Sequence, residues 1–193
     1  MNEYEKLKQC LEPLSGTLRV ALYLDLANVW MSEKKNGWSQ VTGTIFRTAE
    51  EIGIIQTAKA YTAITCGEVC KPGLLRLERE GYQIIPRFVP NTEYGSKKDI
   101  DTFLISDVIR DLFLTKLDLI VIASDDSDFI PAFREIKLQN KFGLAIVSNR
   151  IEAKLVAATA NFCIDIPTLN DHVEALSELH TDDTLIGVSA SGL

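Results

Sequence analysis

The sequence predicts an α/β domain built on a doubly wound, Rossmann-like parallel sheet of five to six strands with helices on both faces. Short apolar runs rich in β-branched residues alternate with longer stretches of helical spacing, the pattern of successive βα units. The first run, Leu18–Asp25, reads as a strand buried on both faces. Punctuation agrees: Pro72 suits a first helical turn, Gly81 follows a helix, and Asn140 with Gly143 separate a helix from the next strand.

Taken in order, the strands are expected at Leu18–Asp25, Ile55–Thr65, Tyr82–Val89, Leu119–Ser124, Leu144–Ser148 and Phe162–Ile166. Helices fit between them at Gln40–Ile52, Pro72–Glu80, Asp99–Lys116, Asp128–Asn140 and Arg150–Ala160, with a last short one at Leu169–Leu179. From His180 the chain reads HTDDTLIGVSASGL, small and polar with little periodicity, and is expected to be a loose tail. The organisation read from this is an N-terminal extension over 1–17, one domain over 18–179 and a C-terminal tail over 180–193. Right-handed crossovers would place ligands outside the carboxyl ends of the strands.

Composition narrows the function. With 46% hydrophobic and 24% charged residues the chain has the make-up of an ordinary globular domain. No apolar run approaches the ~20 residues that span a bilayer, and residues 1–9 alternate charged with apolar side chains where a signal peptide would be apolar. A cytoplasmic location without a membrane role is therefore expected. The scattered Cys10, Cys66, Cys70 and Cys163 read as reduced packing residues. His172 and His180 lie far from every acidic cluster, which disfavours a histidine nucleophile system or a zinc site. A net charge of −7 means that an RNA ligand would need a local positive patch and bound metal to overcome repulsion.

Acids gather where the fold puts ligands. Asp25 ends the first strand in YLDLAN, three residues before Asn28; taken alone it reads as a strand-end or helix-capping acid. Asp126 and Asp128 follow the fourth strand in ASDDSDF, the neighbour of the first in a three-two-one-four strand order. At about 100° per residue, Asp101 projects with Leu104, Val108 and Leu112, on the stripe that should face the core. Asp107 lies to the side of that stripe and about 9 Å further along the axis, so it reads as a structural or supporting acid and Asp111 as a solvated one. Aspartates from three segments on one rim repel one another unless a cation is present. Oxygen ligands without His or Cys favour Mg²⁺ or Mn²⁺, which activate water and stabilise charge developing on a phosphate.

The segments YLDLAN, KKDIDTFLISD and IASDDSDF, followed by GLAIVSN and ATANFCIDI, resemble the NYN domain of the PIN-like nuclease superfamily, particularly its LabA-like bacterial branch, from about Leu18 to Pro167. The resemblance implies a PIN-like fold and a metal site made of Asp25, Asn28, Asp101, Asp126 and Asp128, with Ser124 and Ser127 shaping the loop. It departs from the family at Asp125, where a Gly is usual; the added charge bears on metal affinity. Asn28, Ser124, Ser127, Lys97 and Lys98 are the expected substrate contacts, and Arg87 and Arg150 are further basic residues near the rim. Trp30, Trp38 and Phe46 read as a cap over the sheet edge or as an aromatic platform for bases.

The function expected is a Mg²⁺- or Mn²⁺-dependent ribonuclease acting on single-stranded or structured RNA. Water would displace the 3′ oxygen in line and leave a 5′ phosphate, as the resemblance implies. The alternative is a non-catalytic NYN domain that binds RNA or a protein partner, including a second copy of itself, which low basicity and Asp125 favour. A metal-dependent phosphatase would carry an Asp-x-Asp pair after the first strand, and the residue two after Asp25 is Ala27.

Overall fold

The computed structural model describes residues 3–14, 17–64, 72–88 and 97–171, apart from the side chains of residues 72, 88 and 97–99. Cys66, Cys70, His172, His180 and the tail lie outside the described residues. The strands are β1 (Arg19–Asp25), β2 (Ile54–Ile64), β3 (Gln83–Phe88), β4 (Leu119–Ala123), β5 (Phe142–Val147) and β6 (Phe162–Asp165). They form one six-stranded sheet, parallel throughout, in the order β3-β2-β1-β4-β5-β6. The order reverses between β1 and β4, and this switch point opens a crevice at the carboxyl edge.

Strand alternation divides the core into two layers. Val20, Leu22, Leu24, Val121 and Ile146 pack under helices α1 (Glu3–Leu11), α2 (Leu26–Asn36), α3 (Val41–Ile52) and α4 (Pro72–Glu80). Ala21, Tyr23, Ile120, Ile122 and Val147 pack under α5 (Lys97–Leu114), α6 (Ile130–Leu138) and α7 (Lys154–Thr159). All of β4 is buried, as expected for a strand covered on both sides. At the amino edge the Arg19 guanidinium donates two hydrogen bonds of 2.8 Å to Asp118, fixing β1 beside β4.

Each predicted strand is present within two residues of its expected limits. The helices differ more. Both α1 and α2 are additions: α1 buries Tyr4, Leu7 and Leu11, and α2 begins on the residue after β1 because Asp25 caps it. Gly37 ends α2 at φ 71°, a left-handed turn that lets its N–H reach the Glu33 carbonyl. The expected helix from Arg150 starts only at Lys154, because the Asn149 side chain accepts the N–H groups of Ile151 and Glu152 and holds a turn there. The last helix opens earlier than expected: residues 166–171 are helical, started by Asp165, whose carboxylate accepts the N–H (3.0 Å) and hydroxyl (2.6 Å) of Thr168.

Trp30, Trp38 and Phe46 pack against the first core layer, Phe46 meeting Tyr82 edge to face, which fits the capping role. Cys163 is buried and burial pushes its thiol up to about 11, a packing residue; Cys10 departs from that expectation and is exposed on α1. Among the described residues no helix is long and apolar enough to cross a membrane.

Candidate metal centre

β1 and β4 run side by side and end level at the crevice, so the loop after β4 and the start of α2 after β1 are brought together. Asp25 is only 6% exposed. Its Oδ1 accepts the Asn28 N–H at 3.2 Å, capping α2, and its Oδ2 accepts the Ser124 hydroxyl at 3.0 Å. Burial raises its pKa; the bonds from Asn28 and Ser124 oppose that rise, and the charge of Asp126 adds to it.

The loop after β4 is held from three directions. The Ser124 hydroxyl, having donated to Asp25, accepts the Asp126 N–H at 3.1 Å. Asn28 reaches across from α2, its Oδ1 accepting the Asp125 N–H at 3.2 Å. Asp125 turns toward β5, where its carboxylate accepts the Ser148 N–H at 2.6 Å and also the Ser148 hydroxyl. Asp126 then caps a short 3-10 turn, Ser127–Phe129, by accepting the Asp128 N–H at 2.9 Å, and the fully buried Phe129 anchors that turn. Ser127 is exposed at its first position.

One expectation about the facing helix is corrected, and Asp125 gains a structural task. Asp125 was expected to bear on metal affinity through its added charge; its carboxylate is an acceptor for Ser148, and its φ is not positive, since Gln40 and Asn140 alone have positive φ among described residues other than glycine. Asp111 was expected in solvent, yet it is 8% exposed and accepts the Lys59 ammonium at 2.6 Å and the Tyr23 hydroxyl at 2.8 Å. Burial pushes its carboxyl upward, but Lys59, Tyr23 and the charge of Arg110 bring it below its usual value. One turn earlier, Asp107 accepts the Tyr61 hydroxyl at 2.6 Å and pairs with Arg110 at 2.7 Å, a supporting role as expected. This network lashes α5 to β1 and β2. The signal for it was Lys59 inside the apolar run of β2, a cation that needs a buried anion.

α5 so fixed presents Asp101 to the β4 loop. One carboxylate oxygen each from Asp101, Asp126 and Asp128 lie within 4.8 Å of one another. Asp101 and Asp126 are half-buried and Asp128 is exposed. Burial, then the negative charges of Asp25, Asp126 and Asp128, push Asp101 up to about 6. No described Lys or Arg forms an ion pair with any of the three. Asp25 stands outside the trio, its oxygens engaged with Asn28 and Ser124, and acts on Asp101 through its charge. Oxygens bound to one octahedral ion with ~2.1 Å bonds lie roughly 3–4 Å apart, so the trio needs only a small closure. The donor set fits a hard divalent cation.

The basic residues divide. α5 begins at Lys97, but the side chains of Lys97 and Lys98 lie outside the described residues. Arg150 pairs with Glu3 at 3.4 Å. Arg87, at the carboxyl end of β3, lies over the ring of Phe103.

A doubly wound sheet whose switch point collects aspartates from three elements defines an α/β domain of the PIN-like kind. The NYN domain model matches residues 19–167, and the chain belongs to that nuclease-like family of the PIN-like superfamily. NYN domains are generally RNA-related nucleases, and the family generally uses divalent metals. A solved structure of a protein of unknown function from Vibrio parahaemolyticus has a similar fold, with a TM-score of 0.65 at 18% identity over 77% of this chain and 93% of that one. No curated protein matches the chain.

Proposed function

We propose that the chain is a cytoplasmic metal-dependent ribonuclease that hydrolyses phosphodiester bonds of single-stranded or structured RNA. The observation that carries the reading is the trio Asp101, Asp126 and Asp128, carboxylates converging within 4.8 Å with no ion-pair partner among the described residues, in a chain of a nuclease-like family. Those three would hold Mg²⁺ or Mn²⁺. A divalent ion there supplies a Lewis acid for the phosphate and makes water a better nucleophile near neutral pH.

The chain's own residues set up that chemistry. Asp25 adds negative charge from behind without leaving its bonds to Asn28 and Ser124, which favours cation entry. Asp101, raised to about 6 by burial and by the charges of its neighbours, would give up any proton it holds as an ion binds. Asn28 and Ser124 are occupied in fixing the loop, so they position Asp126 more than they touch substrate. Ser127, exposed on the same turn, and Lys97 and Lys98 at the start of α5 are the candidates for phosphate contact.

Incubation of labelled RNAs with the purified chain and Mn²⁺ or Mg²⁺ tests the reading. Cleavage is expected, stopping on chelation and lost in Asp126→Asn. Cleavage that survives both EDTA and that substitution would refute the site. RNA binding without cleavage of any RNA would instead establish a binding regulator.

A further inference from the structure

We propose that Arg87 and Phe103 form an RNA-phosphate subsite beside the acidic cluster, an inference that rests on the ribonuclease reading. A chain of net charge −7 must hold RNA through local cations that are not already neutralised. Around this crevice most described cations have anionic partners: Lys59 with Asp111, Arg110 with Asp107, Arg150 with Glu3 and Lys35 with Glu152. Arg87 differs, because no described carboxylate pairs with it. Its guanidinium carbon lies 3.8 Å from the centroid of the Phe103 ring.

That placement has a chemical use. Stacking on the ring restrains a long, mobile side chain and leaves the N–H fork free at its edge, the group that grips a phosphate through two parallel hydrogen bonds. It also accounts for Phe103, an aromatic residue 40% exposed on a helix whose apolar stripe is already complete with Leu104, Val108 and Leu112.

The location suits a strand of RNA. Arg87 pairs with Ala63 near the carboxyl end of β2, so it sits on the same edge of the sheet as the acids. Asp101 and Phe103 are two residues apart on α5, about 3 Å along its axis and on nearly opposite flanks. The acids therefore lie on the β4 side of α5 and Arg87 on its β3 side. An RNA strand crossing the amino end of α5 meets the trio with one phosphate and Arg87 with another further along.

Anisotropy of a fluorescein-labelled single-stranded oligouridylate, titrated with the full chain in Ca²⁺ over a range of salt, tests this. Arg87→Ala is expected to weaken binding several-fold and to make the log-log salt slope shallower by ~0.7, the contribution of one phosphate contact on a single strand. Arg87→Lys should keep the slope yet bind more weakly than the parent, because it lacks the fork. Phe103→Ala should also weaken binding with the slope retained, because the charge remains but is no longer held. Parent affinity and slope in Arg87→Ala would overturn the subsite and leave the nuclease reading standing. A parent with no affinity for the RNA would overturn both.

Discussion

Replacing Asp101 by Asn should stabilise the metal-free protein while destroying its response to metal. Asp101 is held at about 6 against an ordinary 3.8, by burial and by the charges of Asp25, Asp126 and Asp128. For a fully buried carboxylate that difference would correspond to ~3 kcal/mol at neutral pH, and screening by the water that reaches a half-buried group reduces it to about 1 kcal/mol. In a chain of 193 residues this raises Tm by roughly 2–4 °C. The pH dependence has a fixed sign. Since the folded pKa lies above the unfolded one, the folded state binds more protons between about 4 and 6, and stability falls as pH rises through that window. The advantage of the variant should therefore be small near pH 4 and complete above about 6. Mn²⁺ at a hundredfold excess over its dissociation constant should stabilise the parent by ~2.7 kcal/mol and the variant far less. Thermal melts of both proteins in EDTA and in Mn²⁺ across this pH range are the assay. A variant that melts lower than the parent in EDTA at pH 7.5, with a parent indifferent to Mn²⁺, would refute the reasoning. Asp101 is the better choice for this experiment because Asp126 also caps its own turn.

Asp125→Ala removes the acceptor of both Ser148 bonds and should cost ~2 kcal/mol in urea unfolding while leaving Mn²⁺ affinity near that of the parent; a loss of Mn²⁺ affinity as large as that of Asp126→Asn would make Asp125 a ligand. Lys59→Met strands Asp111 in the core and should cost about 3–5 kcal/mol, with part of it recovered when Asp111→Asn is added. A cost below ~1 kcal/mol would show that the network behaves like a surface ion pair.

The sheet was legible because its information is local. Most strands are short runs dominated by apolar residues, and β4, LIVIA, is placed correctly from its residues alone. Asp101 was legible because a charge on an apolar stripe violates the helical pattern. The helix α2 was hidden because its start signal, Asp25, reads equally as an acid of the site, and the residue does both things: it caps the helix and charges the crevice. Asp111 was misread because only the packed structure shows that Lys59 and Tyr23, far apart in sequence, converge on it. Distant polar pairing of that kind leaves no periodic trace. The Arg87–Phe103 stack is hidden for the same reason, its partners being sixteen residues apart on a strand and a helix.

The rigidity of the surroundings is what would make the crevice favour a cation. Carboxylates crowded on a mobile loop would separate until solvent screened them. Here Asp126 and Asp128 cannot withdraw, since their loop is tied to β1 through Ser124 and Asp25, to α2 through Asn28 and to β5 through Asp125 and Ser148. Asp101 cannot withdraw either, because Asp107 and Asp111 secure α5 to Tyr61, Lys59 and Tyr23 on the sheet. Repulsion fixed in place by the scaffold has two outlets. A proton is one, and the elevation of Asp101 to about 6 measures how far the site goes in that direction. At neutral pH the proton is scarce, and a divalent cation, carrying twice the charge and accepting several oxygens at once, is the more effective outlet.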